Sequence, residues 1–249
     1  IQMYTVRELT KTPDDFRARV REIAEIGYAA IEASAPSDMT PKTFKAFLSD
    51  LGMHVSSSWA QPNQDNVNEL VDTAKELGFT NYVGCWGPDN FKTEDEIRKT
   101  AGAFEAMAQL LKPHGLNMLY HNHWWEFEYP SRGGAGWDLF MKLAPTCGAQ
   151  IDCYWASNFG TIEVPAVVKR YAARTPLLHV KEGPLVKDAP NTAVGSGTFD
   201  NLACVKAADP SVLQYVIVEL DKSARDVMDD VRDSYRYLTD SGVAHGRGR

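Results

Sequence analysis

The chain has 249 residues, of which 44% are hydrophobic and 24% are charged, and its formal net charge is −7. This length allows one large domain and matches the roughly 250 residues of a typical (β/α)8 barrel. The acidic balance, with no long basic run before the last residues, argues against nucleic acid as a partner. No apolar run approaches the roughly 20 residues that cross a bilayer, so we expect a soluble protein without a membrane partner.

Strand-like and helix-like stretches alternate along the whole chain, with no linker between them. Apolar runs predict strands at residues 2–6, 29–32, 54–58, 81–85, 117–121, 149–152, 177–181 and 215–220. Helical spacing predicts helices at residues 13–26, 40–51, 67–77, 93–113, 137–143, 164–172, 199–208 and 224–239. This strict alternation of strands and helices predicts an α/β fold, a single (β/α)8 TIM barrel over residues 1–249, with residues 243–249 as a flexible tail.

Metal-binding residue types lie at the C-terminal end of each of the last four predicted strands. They are His121, with His123 and Glu126 shortly beyond it, at the fifth strand, Asp152 at the sixth, His179 at the seventh and Glu219 at the eighth. A single carboxylate or imidazole at a strand end is usually a cap or a hydrogen-bonded core group. Four consecutive strands with such residues indicate a shared site, because the carboxyl ends of barrel strands meet at one mouth. The sequence therefore predicts a site for one divalent metal ion at that mouth.

Aromatic residues are also concentrated after the predicted strands. Five tryptophans follow strands three to six: Trp59, Trp86, Trp124, Trp125 and Trp155. Aromatic faces at a barrel mouth favour a pocket for the apolar faces of a sugar. The alternative is packing against a lid or within a homodimer interface. Arg7, after the first strand, would meet an anionic substrate or form a solvated salt bridge.

Several segments resemble the sugar phosphate isomerase/epimerase family of xylose-isomerase-like TIM barrels, in a subgroup with an H-N-H-x-x-E-F signature. The matching segments are residues 4–9, 26–32, 121–127, 152–155, 179–183, 218–221 and 234–238. The resemblance implies one metal ion held by Glu, Asp, His and Glu from strands five to eight. On this sequence the implied ligands are Glu126, Asp152, His179 and Glu219. His121 and His123 are the rival ligands for the first position, or the catalytic base.

The resemblance implies an isomerase or epimerase that acts on a sugar or keto-sugar through an enediolate. The implied ion is Mn²⁺, with Mg²⁺, Co²⁺ and Zn²⁺ as alternatives. The implied catalytic residues are His121, His123, Glu126, Lys181 and Glu219. The implied substrate contacts are Arg7, Trp59, Trp86, Trp124, Trp155 and Lys181. Two carboxylates on opposite sides of the substrate would support epimerisation, whereas a histidine with a leaving group on the next carbon would support elimination.

Three other functions stay open at this point. A 3-keto-glycoside lyase or hydratase would use the same site. A phosphodiesterase of the AP-endonuclease type would need more histidine ligands than the chain offers at strand ends. A barrel that binds carbohydrate and metal without catalysis is the third, because residues 57–59 read Ser-Ser-Trp where many relatives have a histidine. The chain begins at Ile1 without an initiator Met, so cytoplasm and periplasm are both compatible with it.

Overall fold

A computed structural model describes residues 1–130 and 133–247 of the chain. Within them, seven parallel strands form one sheet in chain order. The strands are β1 (Ala30–Glu32), β2 (His54–Trp59), β3 (Asn81–Gly84), β4 (Asn117–His121), β5 (Gly148–Asp152), β6 (Leu177–Val180) and β7 (Tyr215–Val218). The helices are α1 (Pro13–Ile26), α2 (Pro41–Asp50), α3 (Val67–Leu77), α4 (Glu94–Leu111), α5 (Ala135–Leu143), α6 (Cys153–Ala156), α7 (Val164–Tyr171), α8 (Asn201–Ala207) and α9 (Val227–Asp240). The predicted TIM-barrel architecture is confirmed, with the sheet as a nearly closed barrel.

The prediction of a strand at residues 2–6 is wrong, because most of that segment belongs to the 3-10 helix Met3–Leu9. The reason lies in the side chain of Gln2, whose Oε1 accepts a hydrogen bond from the backbone N–H of Tyr4 at 3.0 Å. This cap satisfies a backbone donor at the start of the helix and turns the chain out of the extended conformation. An apolar run of five residues could not reveal a cap of this kind.

The first two residues nevertheless close the barrel. The backbone N–H of Gln2 donates to the carbonyl of Val218 at 3.0 Å, and the N–H of Glu32 donates to the carbonyl of Ile1 at 2.8 Å. Ile1 and Gln2 therefore lie between β7 and β1, where the eighth strand of the barrel would stand. These contacts bring the end of β1 close to the ends of the later strands.

The predicted helices are confirmed, and their ends follow from local chemistry. Thr12 caps α1 by accepting from the N–H of Asp15, and Thr93 caps α4 by accepting from the N–H of Glu96. Gly78 ends α3 in the left-handed conformation. The short helix α6 was not predicted. It begins directly after β5, so Asp152 is both the last strand residue and the N-cap of α6.

Two apolar layers hold the barrel together. The layer between strands and helices contains large buried side chains, among them Phe44, Phe104, Tyr120, Trp137 and Phe140. The layer inside the barrel contains Val83, Leu119, Leu177 and Ile217. Side chains of a strand alternate between the two faces, so the residues two positions after an inward-facing residue also face inward. Two positions after Leu119, Leu177 and Ile217 come His121, His179 and Glu219. These three side chains therefore also face inward, at the mouth of the barrel.

The end of the described chain packs against α1. The backbone N–H of Arg247 donates to the carbonyl of Gly27 at 2.7 Å, and its Nη2 donates to the carbonyl of Ala24 at 2.9 Å. Residues 248 and 249 of the predicted tail lie outside the described residues. Within residues 1–130 and 133–247, no helix combines the length and the hydropathy needed to cross a membrane.

Candidate metal centre

Four buried side chains from β4 to β7 and the turn after β7 meet at the mouth of the barrel. They are His121, Asp152, His179 and Glu219. Each offers one nitrogen or oxygen atom, and these atoms all lie within 4.8 Å of one another. Imidazole nitrogens and carboxylate oxygens at this spacing are a donor set for a divalent ion of intermediate softness. The metal site that the sequence predicts at the strand ends is therefore present as a geometric arrangement.

The electrostatics of the centre also fit a bound cation. Among the described residues, the carboxylates of Glu32, Asp152, Glu219 and Asp221 face one ammonium, that of Lys181, and the imidazole of His179. Burial raises the pKa of Asp152 to about 6, against the opposing effect of Lys181 and His179. Buried carboxylates without enough positive charge are costly, and a divalent ion would offset that cost.

Lys181 lies at the centre of these carboxylates. Its Nζ is 3.1 Å from Asp152 Oδ2, 3.0 Å from Glu219 Oε2 and 2.7 Å from Asp221 Oδ2, and the side chain is fully buried. Burial disfavours the charged amine, but the three carboxylates outweigh it and raise the pKa of Lys181. The ammonium is therefore a fixed charge of the site and does not extend to solvent as a surface lysine does.

Glu219 is ionised in this environment. Burial opposes ionisation, but Lys181 and His179 outweigh it and hold the pKa of Glu219 well below its usual value. Its Oε2 is 2.9 Å from His179 Nδ1. The two potential ligand atoms are thus in direct contact, as expected where an ion would bind between them.

Glu126, a predicted ligand, lies outside this group of four. Its Oε1 accepts from the hydroxyl of Tyr120 at 3.0 Å, and its Oε2 accepts from the backbone N–H of His123 at 2.8 Å. Burial raises the pKa of Glu126 to about 8. The structure instead places His121, the last residue of β4, with the other three ligand candidates.

Variants of Glu126 and His121 would show which of the two residues binds the metal ion. We expect Glu126→Gln to retain metal binding, because the amide keeps the shape and the hydrogen bond from the N–H of His123. We expect His121→Ala to weaken metal binding, because one donor of the group is lost. Isothermal titration of the metal-free variants with Mn²⁺ or Zn²⁺ would measure both. Loss of binding in Glu126→Gln alone would instead assign the ligand to Glu126.

His123 lies next to the group and is electrically neutral. Its ring stacks on Trp125 with centroids 4.2 Å apart, and it meets the ring of His121 at 4.9 Å. Burial, assisted by the charge of Lys181, lowers the pKa of His123 to about 3. Its Nδ1 is buried and makes no hydrogen bond to any described residue. A neutral imidazole with a free nitrogen at the mouth can act as a general base.

Of the four tryptophans predicted to contact the substrate, Trp59 and Trp155 border the ligand group, whereas Trp124 and Trp86 contact other residues. Trp59 lies 5.3 Å from the ring of His121, and the ring of Trp155 lies 5.3 Å from Lys181 Nζ. The ammonium of Lys187 lies over the ring of Trp124, 4.5 Å from its centroid. Trp86 packs edge-on against Phe104 of α4, with centroids 5.3 Å apart.

Arg7 is already engaged within the protein. Its guanidinium donates to the carbonyls of Tyr4 and Asp221, at 2.9 and 2.6 Å, and lies 3.8 Å from the centroid of the Tyr4 ring. Its predicted contact with an anionic substrate would therefore compete with these interactions.

Glu32 is part of the centre, although its position in the sequence was not expected to have a role there. It ends β1 and is fully buried. A β-bulge between β1 and β2 shifts the register, so that Glu32 pairs with Ser57, whose hydroxyl donates to the carboxylate. The available signal was the same as for Asp152, an acidic residue at the end of an apolar strand.

The protonation of His179 gives a pH dependence. Burial opposes the charge, but Glu32 and Glu219 outweigh it and raise the pKa of His179 to about 9. Because the folded-state pKa exceeds the unfolded value of about 6.5, this stabilisation is complete below pH 6.5 and is lost as the pH rises through 9. We expect the unfolding free energy of the metal-free protein to fall by about 3 kcal/mol across this range from His179. Urea denaturation with a chelator, at pH 6.5 and 9, would measure it. His179→Gln should show a smaller fall, and an equal fall would contradict the prediction.

Comparison with known proteins gives the family. Residues 20–240 match the family described as xylose isomerase-like TIM barrel. No curated protein sequence matches the chain at a significant level. Among solved structures, a sugar phosphate isomerase/epimerase from Parabacteroides distasonis is similar, with a TM-score of 0.75 and 24% identity, over 98% of this chain and 93% of that one.

Two further solved structures share the fold at lower identity. The probable 3-DHS dehydratase AsbF of Bacillus anthracis has a TM-score of 0.70 and 11% identity, over 96% of this chain and 97% of that one. The IolI protein with a bound zinc atom has a TM-score of 0.69 and 13% identity, over 96% of each chain. The match over residues 20–240, together with this fold, shows that the chain belongs to the xylose isomerase-like TIM barrel family.

Proposed function

We propose that this protein is a divalent-metal-dependent isomerase or epimerase that acts on a sugar or keto-sugar through an enediolate. The observation that carries the proposal is the group of four buried ligand atoms at the barrel mouth, within 4.8 Å of one another. His121, Asp152, His179 and Glu219 would hold the ion. When bound, a divalent ion supplies a Lewis acid that polarises a sugar carbonyl and the neighbouring hydroxyl.

The residues around the group supply the other parts of the reaction. His123, neutral and with a free Nδ1, would remove the proton from the carbon beside the carbonyl. Lys181 keeps a positive charge at the site and would hold the oxygen on which negative charge develops. Its ammonium now contacts Asp152 and Glu219, two of the proposed ligands. Once those carboxylates bind an ion, the ammonium would be available to the substrate.

Two bases at different sides of the mouth support the transfer of a proton between two faces of the substrate. Glu219 follows β7 and His123 follows β4, with β5 and β6 between them in the sheet. Removal of the proton by one group and its return by the other would invert the carbon or move the carbonyl. Trp59 and Trp155 border the centre and would stack on the apolar face of a sugar ring.

A lyase or hydratase acting on a 3-keto-glycoside is the second candidate, and one observation favours it. The strand β4 ends in an imidazole, that of His121, and a second imidazole follows at His123, while the carboxyl of Glu126 lies outside the ligand group. With the carboxyl of Glu126 held away from the ligand group, a single histidine base at this strand end suits elimination of a group from the next carbon. The dehydratase among the similar structures is consistent with this chemistry on the same fold.

We propose Mn²⁺ as the ion, with Co²⁺ and Zn²⁺ as the nearest alternatives. Two nitrogen and two oxygen donors suit these ions better than Mg²⁺, which prefers oxygen ligands. The zinc atom in the similar IolI structure supports a bound metal on this fold without deciding the ion. Elemental analysis of the purified protein, and of protein reloaded with each ion, would decide it.

Deuterium uptake tests the proposed function. The metal-loaded protein would be incubated in D₂O with keto-sugars and 3-keto-glucosides and followed by NMR, with chelator-treated protein as the control. Exchange with a new epimer or isomer would support the first proposal. Exchange with loss of the aglycone, or an unsaturated product, would support the lyase. Metal binding without exchange on any substrate would favour a barrel that binds carbohydrate without catalysis.

A further inference from the structure

The carboxylate of Glu32 lies behind the ligand group and receives an unusual number of hydrogen bonds. Among the described residues, its donors are Gln2, Ser57, Trp59, Gln150 and His179. The indole N–H of Trp59 can only donate, and the donors are shared between both carboxylate oxygens, so the geometry is that of an ionised carboxylate that accepts on every side. An ionised carboxylate can only accept hydrogen bonds, so each atom that faces it must carry a hydrogen.

This rule fixes the orientation of His179. Its Nε2 lies 3.1 Å from Glu32 Oε1, and its Nδ1 lies 2.9 Å from Glu219 Oε2. Both carboxylates accept, so in the metal-free protein both ring nitrogens carry a hydrogen. Glu219 belongs to the ligand group and Glu32 does not. An ion bound beside Glu219 would therefore replace the hydrogen on Nδ1, while Nε2 would keep its hydrogen and its bond to Glu32.

The same carboxylate also fixes His121, through the amide of Gln150. The Nε2 of Gln150 donates to Glu32 Oε2, which leaves the amide Oε1 facing His121 Nδ1 at 2.9 Å. Rotating the amide by half a turn would place its carbonyl oxygen against the carboxylate, so this orientation is the favourable one. His121 Nδ1 must therefore carry the hydrogen, and Nε2 is the nitrogen available to an ion.

We propose that Glu32 is a positioning residue for both imidazoles of the ligand group. It holds His179 directly and His121 through Gln150. This inference rests on the metal site of the proposed function and adds the buried layer that orients it. The hydrogen bonds behind a ligand histidine fix its tautomer and ring orientation, and their loss commonly lowers metal affinity by about 10- to 100-fold. Here one carboxylate would set two ligands from non-adjacent strands, β4 and β6.

NMR of the zinc-loaded protein tests the assignment without any assay of activity. Zn²⁺ is diamagnetic, and long-range proton–nitrogen correlations on protein with ¹⁵N-labelled histidine identify which ring nitrogen carries a hydrogen. We expect Nδ1–H in His121 and Nε2–H in His179. The opposite tautomer in either ring would overturn the proposal while leaving the metal site in place. Failure of the protein to bind zinc at all would overturn both the metal site and this proposal.

Variants of the second layer test the energetic part. We expect Glu32→Gln to lower zinc affinity by about 10- to 100-fold in calorimetric titration. The matched control is Ser57→Ala, which removes one donor to the same carboxylate but contacts neither imidazole, and we expect it to leave the affinity unchanged. Should Glu32→Gln not fold, Gln150→Met separates the two arms, because it should change the ring signals of His121 alone. Wild-type affinity and ring signals in the folded variants would overturn the proposal.

Discussion

Asp152→Asn and Glu219→Gln are each expected to lower the affinity for a divalent ion by about a hundredfold or more and to leave the barrel folded. Each substitution removes a charged donor from a group of four, which should cost at least as much as the loss of a residue behind a ligand. The fold should survive because the residues lie at the mouth, while the apolar layers below carry the stability. Elemental analysis and calorimetric titration would measure the loss, and circular dichroism would report the fold.

The matched control for these two variants is Asp221→Asn. Asp221 contacts the same ammonium, with Oδ2 2.7 Å from Lys181 Nζ, but it is not one of the four ligand candidates. We expect this variant to bind metal as the wild type does. Full metal occupancy in both Asp152→Asn and Glu219→Gln would refute the assignment of the centre. An equal loss in Asp221→Asn would mean that overall negative charge, and not direct ligation, determines binding.

The sequence predicted the second half of the barrel well, for a physical reason. The strands β5, β6 and β7 are short apolar runs, with Asp152 at the end of β5, His179 one residue before the end of β6 and Glu219 directly after β7. A charged residue at that point can be tolerated only if it faces other polar groups. The position of a polar residue relative to the end of a run therefore predicted its place in the fold.

The contacts across the barrel could not be predicted in the same way. Glu32 and Gln150 are 118 positions apart in the chain. Nothing in the sequence around either residue indicates that it contacts the other. The bulge that pairs Glu32 with Ser57 depends on a register shift between two strands, which no local pattern records. The choice between Glu126 and His121 also depends on where the chain turns after β4, a distance of only five residues.

His123→Ala is expected to leave metal binding unchanged and to lower turnover by about a hundredfold or more, as is usual for the loss of a general base. The ring lies beside the ligand group without belonging to it, so the ion should remain bound. Burial keeps the pKa of His123 near 3, so the imidazole would be neutral throughout the neutral range. Turnover should therefore lack the fall below pH 6.5 that an ordinary histidine base produces.

The measurement combines metal analysis with the rate of deuterium exchange on whichever keto-sugar the wild type turns over. Trp125→Phe serves as the control, because it keeps an aromatic ring stacked on His123 while removing only the indole nitrogen. Unchanged exchange in His123→Ala would exclude this residue from proton transfer and would leave Glu219 as the base. Loss of the ion would instead make His123 a ligand. A large fall in rate with full metal occupancy would separate the chemistry of His123 from that of the four residues that hold the metal.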